Sequence, residues 1–169
     1  SRYGTFFVTG NHEYYSGVDS WVRELESLGI RVLRNECISI GEGTASFDLA
    51  GVDDATARFF GNGHGADYKK ALENHDSSKA LVFLAHQPRQ IYKLENTDID
   101  LMLTGHTHGG QIWPFGFLVR IVQPYLAGMV QHKGINLYIS RGVGFWGPPM
   151  RLKAPAEISH FTLESSIPV

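Results

Sequence analysis

The chain has 169 residues, 43% hydrophobic and 19% charged, with a formal net charge of -2 and a single cysteine. That composition excludes disordered, collagen-like and coiled-coil classes and suits one compact domain. It also lacks the Lys and Arg excess that phosphate-backbone binding needs, so no nucleic-acid partner is expected, and no uncharged apolar run approaches the roughly 20 residues of a spanning helix.

In chain order, residues 4–8 form a β-branched and aromatic run that predicts a strand. Residues 18–28 set Val18, Trp21, Val22, Leu25 and Leu28 at helical spacing ahead of Gly29. Short strands are predicted over 31–33, 37–40 and 46–52, with a hairpin turn at Gly41-Glu42-Gly43. Residues 55–65 read as loop, 67–74 as a short helix, 80–85 as an apolar strand, 89–94 as a helix begun by Pro88, and 100–103 as a buried strand. Strands over 137–140 and 157–163 complete the set. Between them, 109–119 contains no charge, and Ile121, Val122, Tyr125, Leu126, Met129 and Val130 follow with only Arg120 interrupting. That stretch reads as core packing or as an apolar wall beside a site. Buried strands separated by helices predict an α/β sheet with both faces covered, followed by antiparallel hairpins. No repeat or low-complexity linker divides the chain, so 1–169 reads as one domain.

Glycine is abundant, 19 of 169 residues or about 11% against an average of roughly 7%, and it gathers in a few loops. Three predicted strands end alike, with an apolar run, a small residue and then a metal-capable side chain. They are Val8-Thr9-Gly10-Asn11-His12-Glu13, Phe83-Leu84-Ala85-His86-Gln87-Pro88 and Leu103-Thr104-Gly105-His106-Thr107-His108-Gly109-Gly110. In open α/β sheets ligands bind beyond the carboxyl ends of the strands, where these loops would meet. Neutral imidazole suits Zn, Mn, Fe or Cu, and a glycine-flanked His-x-His turn brings two imidazoles to one metal or to two adjacent ones. Taken singly, Asn11 reads equally well as a helix N-cap with His12 exposed, and His86 as a satisfied core histidine.

Gly10-Asn11-His12-Glu13, His86 and Gly105-His106-Thr107-His108-Gly109-Gly110-Gln111 together resemble the calcineurin-like metallophosphoesterases, in particular the group related to transmembrane proteins with a metallophosphoesterase domain. The resemblance continues through Leu49-Ala50-Gly51-Val52-Asp53-Asp54, Arg141-Gly142-Val143-Gly144 and Gly147-Pro148-Pro149-Met150-Arg151. It implies a sandwich of β-sheets flanked by helices, and hydrolysis of a phosphate ester or anhydride by metal-activated water. It also implies two divalent ions, with Mn, Fe and Zn not distinguished. By the same resemblance Asn11, His86 and His106 are ligands of one ion, His108 is a ligand of the other, and His12 is the catalytic group that protonates the leaving oxygen.

The family pattern further includes Asp-x-His and Gly-Asp-x-x-Asp, and this sequence contains neither. The resulting expectation is a C-terminal portion of the domain, with N-terminal strands missing, an unpaired edge at 4–8, a tendency to aggregate, and at most one ion held. The alternative function is a non-catalytic fragment. Asp53 and Asp54 read as an Asx turn or helix cap rather than substitute ligands, and Asp100 as structural. His75, His132 and His160 read as solvated, and Cys37 as a buried strand residue. His64, in a glycine-rich loop, and Trp113, in the apolar stretch, are candidate substrate contacts. A metallo-β-lactamase fold is disfavoured because Gly109-Gly110, not Asp-His, follows the His-x-His. The expected partner is a phosphoester, with Trp113, Phe115, Phe117 and Trp146 favouring a lipid-like one and peripheral membrane contact. The sequence names no compartment; the resemblance implies membrane association through an N-terminal anchor that this chain lacks.

Overall fold

The computed structural model describes residues 1–61 and 63–164. In chain order it contains β1 (Thr5–Phe7), α1 (Asn11–Tyr15), α2 (Val18–Ser27), β2 (Ile30–Val32), β3 (Glu36–Glu42), β4 (Ala45–Gly51), α3 (Tyr68–Leu72), β5 (Leu81–Leu84), β6 (Leu101–Thr104), α4 (Gly116–Val122), β7 (Gly128–His132) and β8 (Ile135–Ile139). Single 3-10 turns at Ala57–Phe60, Pro88–Lys93 and His108–Gly110 fill the connections. Six strands form a mixed sheet in the order β3-β4-β5-β6-β8-β7, while β1 and β2 form a separate parallel pair. Within the large sheet β4, β5, β6 and β8 are parallel, and an antiparallel hairpin closes each edge. The carboxyl ends of the four parallel strands therefore lie along one rim.

Strand alternation sorts the side chains into two cores. On one face Ala50, Leu81, Phe83, Met102, Leu137 and Ile139 pack under Ala71 of α3 and under Ile91 and Leu94. On the other, Leu49 and Val82 pack against Leu33, Phe6 and Val8 of the β1–β2 unit. Gly51 permits that approach, since a Cβ there would stand 2.6 Å from Leu33 Cβ and 2.7 Å from Val8 Cγ1. Both faces are covered, as expected, but to different degrees: Phe83, Met102, Leu137 and Ile139 are fully buried, whereas Leu84, Leu101 and Leu103 on the second face are half-buried. The β1–β2 unit is too small to span all of it.

Three readings change. Residues 157–163 join no ladder; the segment is tied down by side chains, with Arg141 Nη1 and Tyr138 Oη donating to the Glu157 carboxylate and Phe161 set edge-on against Tyr138 at 4.9 Å between ring centroids. His75 and His132 are not solvated. His75 Nδ1 lies 3.0 Å from Asp48 Oδ2, and His132 sits between Tyr125 Oη at 3.0 Å and Glu95 Oε1 at 3.1 Å. Finally, the stretch after His108 contains a helix, α4, and a strand, β7, that its uninterrupted hydrophobicity did not resolve. His160 is exposed, and Cys37 is buried in β3, as read from the sequence.

Phe83 sits at the centre of the covered face with no exposed surface. Replacing it with alanine should lower unfolding stability by about 3–5 kcal/mol, read by urea denaturation, because the close-packed surroundings cannot collapse into the space.

Asp48 is buried on β4, and although burial raises its pKa, the Asp76 amide and His75 hold it below the ordinary carboxylate value. Its proton is bound less readily in the folded chain than in the unfolded one. Its contribution is therefore complete above the unfolded carboxylate pKa of about 3.9 and is lost as pH falls through the folded value. The melting temperature should drop across that acid range, and Asp48→Asn should flatten the drop while lowering stability at neutral pH.

Candidate metal centre

Three chain segments bring polar side chains to the rim where the parallel strands end. After β1 the chain turns through Gly10 into α1, where the Gly10 amide donates to Glu13 Oε2 at 2.6 Å. Gly10, not Asn11, is the N-cap, so the Asn11 amide is left to face the rim as the first helical residue. After β5, His86 Nε2 stands 3.0 Å from Asn11 Oδ1. After β6, His106 Nδ1 stands 3.1 Å from the same His86 nitrogen. A Cβ on Gly10 would stand 2.8 Å from the His86 ring, so glycine is required for the imidazole to lie flat against the turn.

These three atoms test whether a cation fits. A divalent ion takes N and O ligands at about 2.0–2.2 Å, which sets neighbouring ligand atoms about 2.8–3.6 Å apart between right-angled and tetrahedral geometry. The observed 3.0 and 3.1 Å separations meet that spacing. Burial pushes both His86 and His106 down to about 4, with the neighbouring His106 adding to the effect on His86 and Arg89 and His108 adding to that on His106. Both rings are therefore neutral near pH 7 and present lone pairs. Among the described residues no three His, Cys, Asp or Glu side chains assemble as a metal-ligating group; the trio is two imidazoles and an amide.

The His-Thr-His loop reaches this position through a strained backbone. His106, His108 and Gln111 have φ of 67°, 51° and 50°, in the left-handed region, each costing about 1–3 kcal/mol unless its surroundings compensate. They do: Thr107 Oγ1 donates to the Leu126 carbonyl at 2.6 Å, and Gln111 binds the Trp146 backbone twice, at 2.7 and 2.8 Å. His108 lies in the same cleft as Asn11, His12, His86, His106, Val119 and Trp146, a space of about 260 Å³. Burial lowers its pKa, and Arg151 lowers it further, while a hydrogen bond to the Gly144 carbonyl works in the opposite direction. Arg151 is a residue to which the sequence assigned no role. Its guanidinium lies 3.2 Å from His108 Nδ1 and donates to the carbonyls of His108, Arg141 and Ala154, at 3.3, 2.8 and 3.1 Å.

The structure thus brings together Asn11, His12, His86, His106 and His108, with His12 exposed at the cleft. It does not bring His64 there. That ring lies 3.0 Å from Arg34 Nη2 and packs on Tyr14 at 5.5 Å. Trp113 lines an adjoining cleft beside Phe117 and Lys153. Asp53 receives two hydrogen bonds from Arg34, at 3.0 and 2.9 Å, and one from Thr9. Asp54, fully buried, accepts from the Thr56 amide at 2.8 Å in an Asx turn and from Gln87 Nε2 at both oxygens. Asp100 accepts from the Leu81 amide at the opposite end of β5, a structural position.

No protein-family model matches the chain. Among individual proteins, an uncharacterized metallophosphoesterase of Helicobacter pylori is 46% identical over 165 residues, 96% of this chain and 43% of that protein. The transmembrane protein with metallophosphoesterase domain of Bos taurus is 41% identical over 177 residues, 98% of this chain and 40% of that protein. The chain spans less than half the length of these two relatives. Among its own described residues no helix is long and apolar enough to cross a membrane. Among solved structures, sulfate thiohydrolase SoxB of Thermus thermophilus, in complex with glycerol, shares the fold with a TM-score of 0.53 at 18% identity, over 80% of this chain and 27% of that one. With relatives of that name aligned along nearly its entire length, the chain belongs to the metallophosphoesterase family.

Proposed function

We propose that residues 1–169 supply the imidazole-rich part of one metallophosphoesterase domain, in which water attacks a phosphate ester or anhydride. The observation that carries this reading is the convergence of Asn11 Oδ1 and His106 Nδ1 on His86 Nε2, at 3.0 and 3.1 Å. Those three would hold one divalent ion, and His108 would face a second; Mn, Fe and Zn all accept such ligands. A divalent ion in such a site supplies a nucleophile at neutral pH and neutralises charge on the phosphoryl oxygens.

The chain's own groups do the rest. His12, at the open side of the cleft, can exchange its proton with solvent and give it to the leaving oxygen. Arg151 and the Gly144 carbonyl fix the orientation of the His108 ring. Val119 and Trp146 wall one side of the cleft, and Trp113 lines the adjoining one, which favours a lipid-like ester over a highly charged one. His64 is assigned to holding its loop through Arg34, not to substrate.

A second reading, a non-catalytic portion that binds at most one ion, is favoured by the lack, among the described residues, of a third His, Cys, Asp or Glu beside the two central imidazoles. Metal analysis after extensive dialysis separates the two: two tightly held equivalents per chain would exclude the second reading.

With added Mn and a generic aryl phosphate, His106→Ala and His108→Ala should each lower turnover at least about 100-fold, and His12→Ala about 10²–10⁴-fold with metal content unchanged. Full activity in both His106→Ala and His108→Ala would overturn the mechanism.

Gly10→Ala should weaken Mn or Zn binding about 10–100-fold by calorimetry, with the circular dichroism spectrum unchanged, because the new methyl displaces the His86 ring.

A further inference from the structure

Apolar side chains of α4 face outward. Phe117 is 69% exposed, Leu118 57%, Ile121 77% and Val122 61%, and no α4 residue is buried. Phe117 and Ile121 are four residues apart and share one face of the helix. Beside them the ring of Phe115 packs on Trp146 at 5.3 Å between centroids, and Lys153 Nζ lies 4.8 Å over the ring of Trp113. Trp113, Phe117, Arg120, Leu152 and Lys153 together line one cleft of about 270 Å³. An exposed apolar area of this extent is unusual for a protein surrounded only by water.

Charge identifies what meets it. No Asp or Glu occurs between Asp100 and Glu157; of the cations there, Lys133 and Arg141 are paired with Glu95 and Glu157 and Arg151 is turned onto backbone carbonyls, which leaves Arg120 and Lys153. Arg120 and Lys153 stand at the apolar cleft itself. Aromatic and aliphatic tips flanked by cations, with no carboxylate in the intervening chain, match a bilayer with anionic headgroups: the tips enter the acyl boundary and the cations meet the phosphates. Gly110, two residues after His108, also lines this cleft, so the surface adjoins the metal centre.

We infer that α4, with the loops carrying Trp113 and Trp146, is a docking surface for anionic lipid bilayers that sets the metal-centre cleft against the membrane. Its consequence for substrate choice rests on the proposed phosphoesterase reading. The docking itself does not, and vesicle binding is measured without turnover, so either can fail while the other stands.

The probe is a vesicle of phosphatidylcholine with equimolar phosphatidylglycerol, compared with phosphatidylcholine alone. The Trp21→Phe variant leaves Trp113 and Trp146 as the tryptophans of the chain. It should float with the anionic vesicles at low ionic strength, and brominated lipid should quench its fluorescence. Phe117→Glu/Ile121→Glu and Arg120→Glu/Lys153→Glu should each weaken flotation at least about tenfold, with circular dichroism and turnover of a soluble aryl phosphate unchanged. Absence of flotation, or equal flotation with both vesicles, would overturn the inference. So would a dimer in sedimentation velocity that Phe117→Glu/Ile121→Glu dissociates, since a second copy would then be the occupant.

Discussion

Asn11 Oδ1 and His106 Nδ1 stand 3.0 and 3.1 Å from one atom, His86 Nε2, both within hydrogen-bond distance, and both imidazoles are neutral near pH 7. One proton on His86 can satisfy one of the two contacts but not both. The rest of the molecule is arranged to enforce this meeting. Parallel pairing of β5 with β6 sets Leu84 level with Leu103, so that the residues following each strand emerge side by side. The β1–β2 unit adds Asn11 from outside the sheet, and two glycines permit its closeness: Gly51, where the unit rests on the sheet, and Gly10, where the His86 ring rests on the turn. Two ring nitrogens and an amide oxygen gathered in this way are the donor set that the proposed divalent ion would use.

The enforcement has a cost, carried by the loop after β6. Three non-glycine residues in the left-handed region within six positions would not persist in an isolated peptide. They persist because side chains tie the loop to backbone distant in sequence: Gln111 to Trp146, Thr107 to Leu126, and Arg151 across the carbonyls of His108, Arg141, Gly142, Gly144 and Ala154. Arg151 matters most, because its guanidinium reaches both the His108 ring and the 141–144 backbone. Lysine has one nitrogen and could not serve both sides.

Much of this was legible before any coordinates. His86 and His106 each follow an apolar run by two or three residues, and parallel pairing of those runs brings such positions together, whereas Asn11 comes from the separate β1–β2 pair; the fold class follows from the same buried runs. What the sequence withheld depends on partners far along the chain. His75 and His132 look solvated because their neighbours are polar, yet their partners Asp48 and Glu95 lie 27 and 37 residues away. Arg151 lies 43 residues from His108, in a glycine- and proline-rich loop where no periodicity marks it. The final segment alternates convincingly enough to read as a strand, but Glu157 is drawn to Arg141 and Tyr138, and side-chain bonds replace a ladder.

The hydrophobic stretch after His108 shows a deeper limit. Hydrophobicity predicts burial only where there is a surface to be buried against, and the outward residues of α4, Phe117, Leu118, Ile121 and Val122, are more than half exposed. Yet α4 is not loosely attached. A Cβ on Gly110 would fall 2.6 Å from Gly116 Cα, so the backbone that carries His108 and the backbone that begins α4 are in direct contact. Neither can shift without the other, since close-packed backbone has no side chain to absorb the motion. A surface that seats α4 therefore also constrains the loop that positions His106 and His108, and the apolar helix and the imidazole cluster act as one rigid unit.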